Sequence, residues 1–168
     1  MALAPLPVPD GITTSVVADE EIILAASSDH PLARQRSVRM RDLEGARIVH
    51  FAPENGLSGW LDRSLAKAGI HTETVMRTAV TTAAPQLAAA GFGVAVCPVS
   101  AISAGFPGAV RSFAPRWVRQ LGAVTSAKPD PLTAQFIGDL RSRGVHVSSD
   151  VRGQLTGGRS PVRRIGTR

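Results

Sequence analysis

An α/β fold with a mixed, mainly parallel sheet is what this sequence predicts, and three observations predict it. From Glu21 to Gly144, short apolar runs of strand type alternate with longer amphipathic runs of helix type. Glycine, proline and capping residues stand at the joints between them. The spacing of the runs suits right-handed crossovers between parallel strands. With 43% apolar and 19% charged residues, the 168-residue chain can bury one sizeable core or two small ones.

The strand set begins with EIILAAS (Glu21–Ser27), a buried run. It continues with RIVHF (Arg47–Phe51), the half-buried alternation HTETVMRT (His71–Thr78), GVAVC (Gly93–Cys97) and RQLGAVTS (Arg119–Ser126). After the first strand comes SSDHPLAR. Pro31 has its φ preset for a helical first position, so Asp29 or His30 caps a short turn, and the imidazole has no catalytic part.

Three helices follow from periodicity. GLSGWLDRSLAKAG puts Leu57, Trp60, Leu61, Leu65 and Ala68 on one face and ends at Gly69. TTAAPQLAAAG takes Thr81 or Thr82 as N-cap, with Thr82 the better fit to Pro85 in the first turn, and stops at Gly91. DPLTAQFIGDLRSRG is capped by Asp130, opened by Pro131 and stopped by Gly144, with Leu132, Phe136, Ile137 and Leu140 as its stripe.

Composition excludes several classes. The single cysteine, Cys97, forms no intrachain disulfide and reads as a small buried hydrophobe in a reducing compartment. No apolar run approaches the roughly 20 residues of a membrane span, and MALAPLPVPDG carries prolines where a signal peptide has its apolar core, so a cytoplasmic protein is expected. The net charge of +6 is concentrated in Arg152, Arg159, Arg163, Arg164 and Arg168, leaving a nearly neutral body. The Gly-rich stretch 145–168 reads as a disordered basic tail that gives at most weak, sequence-independent contact with DNA.

Catalytic and cofactor motifs fall short. NGLSGW lacks the final glycine of a nucleophile elbow, because Trp60 stands there. GFGVAV has Val96 where a dinucleotide fingerprint needs glycine, and its glycines precede a strand. Gly91 is explained as a helix stop and Gly93 as the start of the next strand. The histidines at 30, 50, 71 and 146 show no ligand spacing, so no metal, no cofactor and no enzymatic activity is expected. Acidic residues are sparse in the apolar runs; Glu54 and Asp62 are the nearest to an acid pair, and both are expected to face solvent.

One constellation remains. Ligands of open α/β sheets bind at the carboxyl ends of strands. Three turns fall there: FAPENG, VTTAA and CPVS. Their backbone N–H groups and the hydroxyls of Thr81 and Thr82 suit a carboxylate or other small anion, although the threonines could equally only cap their own helix.

The same residues carry a family resemblance. A buried strand running into DHPLA, then VRMRDLEGARIVHF, a helix ending AKAGI, AAAGFGVAVCP and a closing helix PLTAQFIGDLRSRG resemble, in that order from Met1 to Gly144, the effector-binding region of LysR-type transcriptional regulators. The resemblance implies a periplasmic-binding-protein-like fold of type 2, with two subdomains, two crossover strands and a small-molecule effector in the cleft between them. It implies a remnant strand and crossover of the first subdomain at 1–19, a complete second subdomain at 20–124, a return to the first at 125–144, and the tail. Phe51, Pro53, Asn55, Thr81, Thr82 and Pro98 become the candidate effector contacts.

Nothing in the chain matches that family's winged helix-turn-helix, so a fragment, a truncated gene product or a product with a misassigned start is expected, reaching DNA only through the absent unit. Its closing helix, short of partner sheet, should leave its stripe partly exposed or covered by self-association, making a homo-oligomer a further expected partner. A transport-type solute-binding protein shares the fold but would need export. A small α/β hydrolase is the remaining alternative.

Overall fold

The structure, a computed structural model, describes residues 1–6, 11–125 and 128–155. The arginine-rich stretch beyond Leu155 and the last residue of the expected 119–126 strand lie outside the described residues. Six strands form one mixed sheet in the order β1-β6-β2-β5-β3-β4, with β1 Ala2–Pro5, β2 Thr13–Ala26, β3 Arg47–Phe51, β4 Glu73–Thr78, β5 Val94–Pro98 and β6 Ala109–Thr125. The parallel pairs are β3–β4 and β3–β5, while β2–β5 and β1–β6 run antiparallel. The parallel share is thus smaller than expected, because the chain enters and leaves through two long strands, β2 and β6, and not through helical crossovers.

The residues group into two compact units, one of Glu21–Trp117 with the segment that begins at Val147, the other of Met1–Glu20 with Val118–His146. In the first, alternation along β3 sends Ile48 and His50 to one face of the sheet and Val49 and Phe51 to the other. All four are buried, together with Ile22, Ile23 and Leu24 of β2 and Val94 and Val96 of β5. Such double-sided burial explains why RIVHF and EIIL read as continuous apolar runs. β4 is an edge strand, and its alternation therefore leaves even its better face only half-buried.

Helix α1 (Gly56–Ala68) is capped by Asn55, whose Oδ1 accepts from the Leu57 N–H, and ends where Gly69 takes φ 69°. Leu57, Leu61 and Leu65 are its buried row; Trp60 is half-buried and stacks on Trp117 with ring centroids 5.0 Å apart. Helix α2 (Ala83–Leu87) continues through a wider turn, Ala88–Phe92, and breaks where Gly91 takes φ 92°. Gly93 follows at φ 137°, and a Cβ there would stand 2.4 Å from the Arg47 carbonyl oxygen, so only glycine permits β5 to start against β3. Before β3, His30 caps the short 3₁₀ turn Pro31–Arg34, its Nδ1 accepting from the Leu32 N–H at 3.2 Å.

In the second unit, helix α3 (Pro131–Arg143) is capped by Asp130, which accepts from the Thr133 N–H and hydroxyl at 2.9 and 2.8 Å. Ile137 packs with Val17 and Ala123, and Leu121 and Leu140 flank them. Leu132 stays 77% exposed and Phe136 48%. Half of the predicted stripe is therefore open, in line with a helix short of partner surface.

The expected disorder from residue 145 needs correction. Helix α4 (Ser149–Gln154) sits in the first unit with Val151 1% exposed. Asp150 Oδ2 accepts from the Gly105 N–H at 2.8 Å, and Gln154 Oε1 accepts from the Val110 N–H at 3.1 Å. Val147, Val151 and Leu155 recur every four residues, a helical period hidden by the glycines and arginines around it. Among the described residues, no helix is long and apolar enough to cross a membrane.

Candidate functional site

Because β3, β4 and β5 run parallel, their carboxyl ends share one edge, and Phe51 stands opposite Thr78 in register. From that edge leave three connections: Ala52–Asn55 into α1, Ala79–Thr82 into α2, and Pro98 into a 3₁₀ turn, Val99–Ala101. The first two are joined. The Ala52 N–H donates to the Thr78 carbonyl at 2.9 Å. Asn55 Nδ2 donates to the Ala79 carbonyl at 2.8 Å and to Thr81 Oγ1 at 3.1 Å, while its Oδ1 caps α1. One amide thereby sets a helix and fixes two loops together.

The other candidates divide by exposure. Thr81 is half-buried against Asn55; Thr82 and Pro53 are exposed. Thr82 occupies the N-cap position of α2 with no capping bond from its hydroxyl, since its backbone is already helical at φ −75°, ψ −15°. The expected capping by Thr82 is thus corrected, and its hydroxyl is left for other donors or acceptors. Phe51 and Pro98 are buried, and their part is to position the backbone of their loops instead of presenting a side chain.

Beneath the first loop is a buried polar cluster that sequence reasoning missed. His50, 1% exposed, faces α1, with Nε2 3.1 Å from Asp62 Oδ1, close enough for a charge contact but off the line of a well-formed hydrogen bond. Its Nδ1 lies 3.1 Å from Arg77 Nη1 and 3.0 Å from the Phe51 carbonyl oxygen. Arg77 Nη1 donates to that same carbonyl at 2.8 Å, and Ser58 Oγ donates to it at 3.2 Å. An arginine has only donors, so the Nδ1 it meets accepts, and the ring proton is assigned to Nε2, toward Asp62. Glu54 and Asp62 do face solvent, as expected, yet Asp62 also serves this cluster.

The sparse-acid expectation is corrected at β2. Glu20 and Glu21 are both buried, and β6 supplies a partner for each. Arg119 Nε and Nη2 donate to Glu20 Oε2 at 2.9 and 2.6 Å, and Arg116 donates to Glu21. The Glu21 carboxylate holds the Arg116 guanidinium above its ordinary pKa by accepting its hydrogen bond. Charge pairs of this kind are costly to bury alone, which makes the strand pairing specific. Cys97 is buried, and no group of three or more His, Cys, Asp or Glu suited to a metal occurs among the described residues.

The mixed six-stranded sheet has the periplasmic-binding-protein-like type 2 fold. The chain belongs to the LysR substrate binding domain family, whose model matches residues 2–144. It is 28% identical over 79 residues to an uncharacterized HTH-type transcriptional regulator, YybE, of Bacillus subtilis (strain 168), covering 47% of this chain and 27% of that protein. The chain thus spans about a quarter of the length of this curated relative. A C206 mutant of Corynebacterium glutamicum OxyR superposes with a TM-score of 0.71 at 24% identity, over 84% of this chain and 46% of that one. The effector binding domain of QuiR in complex with shikimate superposes at 0.63 with 19% identity, over 82% and 68%. At these identities the likeness establishes the fold.

Proposed function

We propose that this chain is the effector-sensing module of a LysR-type transcriptional regulator, and that its effector is a small carboxylate or similar anion held by the Ala52–Asn55, Ala79–Thr82 and Pro98 loops. The observation that carries the reading is Asn55, which fixes two of these loops to one another at the edge where three parallel strands end. Thr81 and Thr82 add hydroxyls, Pro53 an exposed apolar rim, and Phe51 and Pro98 the buried seats of their loops. The shikimate bound to QuiR is a carboxylate, and it supports this class of ligand.

Catalysis finds no support in the near-elbow. Ser58 is 3% exposed, lies within α1 and donates to the Phe51 carbonyl, so its hydroxyl is not free to attack a substrate. Membership in the LysR family favours a regulator over a transport-type solute-binding protein. Contact with DNA, self-association and a cytoplasmic setting belong to the whole regulator in this proposal. The arginines of 152–168 add only weak, salt-sensitive attraction to phosphates.

Calorimetric titration of the full chain with benzoate, shikimate, malate and other small carboxylates tests the reading. At least one should bind, and Asn55→Ala should weaken it about tenfold or more, a loss of about 1.4 kcal/mol. Equal affinity in parent and variant would remove these loops from the site.

A further inference from the structure

The His50 cluster has a property that the effector reading does not use. Nδ1 lies within hydrogen-bond distance of two groups of opposite kind, the donor Arg77 Nη1 at 3.1 Å and the acceptor Phe51 carbonyl at 3.0 Å. Which one it serves depends on whether it carries a proton. Neutral His50, with its proton on Nε2, accepts from Arg77. His50 protonated on both nitrogens donates to the Phe51 carbonyl and turns a second donor toward Arg77.

We propose that Arg77 is the counter-ion for the effector's anionic group, and that His50 releases it by taking over the Phe51 carbonyl on protonation. The proposal rests on the reading of the loops as an effector site and adds the residue that supplies positive charge there. Arg77 is exposed and sits one residue before Thr78, at the same strand edge as Asn55 and Thr81. In the present arrangement its Nη1 is committed to Phe51 and His50. Protonation sets two positive charges side by side, which favours departure of the guanidinium to solvent or to an anion.

The surrounding charges fit this exchange. Asp62 of α1 faces Nε2 at 3.1 Å and compensates the imidazolium. Arg77 of β4 faces Nδ1. β5, the other neighbour of β3, is Val94–Pro98 and brings no charged side chain. The Phe51 carbonyl keeps Ser58 Oγ as a second donor throughout, so the loop is not left unsupported while its partner changes. Anion binding and proton uptake are then one linked event, and affinity rises as pH falls.

Two measurements on the full chain test this. Nitrogen-resolved NMR of the imidazoles over a pH series, with the His50 signals identified by their loss in His50→Gln, should show the Nε2–H tautomer in the neutral ring and, as the ring takes a second proton, less exchange protection of the Arg77 guanidinium protons relative to a free arginine at the same pH. An Nδ1–H tautomer in the neutral ring, or Arg77 protection indifferent to the second proton, would overturn the exchange whatever binds. Calorimetry with shikimate and the other carboxylates, in buffers of different ionisation enthalpy and over the same pH series, should show proton uptake of up to one per anion and affinity gaining up to about tenfold per unit fall in pH.

His50→Gln should abolish the uptake, and Arg77→Met should weaken binding at low pH most. Binding with no proton uptake would overturn this proposal while leaving the loop site standing. No binding by any of these carboxylates at any pH of the series would overturn both.

Discussion

Asn55 links helix and loops through one side chain, and its two halves separate by substitution. Asn55→Asp keeps the oxygen that caps α1 but loses the donor to Ala79 and Thr81; Asn55→Ala loses both. Denaturant unfolding should place Asn55→Ala about 1–2 kcal/mol below the parent, with Asn55→Asp between them. Thr82→Ala should stay within about 0.5 kcal/mol, because the Thr82 hydroxyl makes no capping bond. The Ser148 hydroxyl beside it and the Gly105 N–H hold the Asp150 carboxyl down to about 2, and the Gly105 bond is the well-formed one, since Ser148 Oγ has no partner of good geometry. A carboxyl depressed in the folded state contributes stability above its unfolded value, ordinarily 3.8, and loses it as pH falls through about 2. The Gly105 amide should therefore lose exchange protection over that acid range in the parent and lack it at all pH values in Asp150→Ala. Local signals such as His30 before Pro31, or Asp130 before Pro131, were legible in the sequence because cap and helix are adjacent. His50 with Asp62 and Arg77 was not, since that cluster needs the β3–β4 register and the docking of α1, separations of 12 and 27 residues that no local pattern encodes.

At the level of elements, burial decides which apolar residues matter. Ile137 is 4% exposed on α3 and Leu132 77%, although both belong to the same predicted stripe. Ile137→Ala should cost about 2–5 kcal/mol and Leu132→Ala less than about 0.5 kcal/mol, measured by urea unfolding. Helices α1 and α3 were readable from capping residue, stripe and terminal glycine together, and β3 from its unbroken apolar run. β2 and β6 were read too short. The parts that were missed carry charges such as Glu20 and Arg116, which look like loop residues until the ion pairs between β2 and β6 are known. α4 was missed for a related reason: six residues with one buried valine give too little period to stand out from a glycine-rich background.

For the whole molecule, charge and fold point to different partners. The formal charge of +6 comes largely from arginines at and beyond 152, whereas the proposed site lies among loops where Arg77, Asn55 and two threonines supply the polarity. Overall charge thus says little about the ligand, and the family-wide order of elements says more, because strand order decides which loops meet. The loop edge was legible from the alternation of elements; the amide that joins two of its loops was not, because Asn55 in sequence looks only like a turn residue.

The central claim is that an anion binds at the carboxyl ends of β3, β4 and β5. Backbone chemical-shift mapping of the full chain during titration with the best-binding carboxylate tests it most directly. The account predicts the largest shifts at the amides of 52–56, 78–83 and 99–101, saturating together. Largest shifts on α3 or α4, with those loops unmoved, would contradict it.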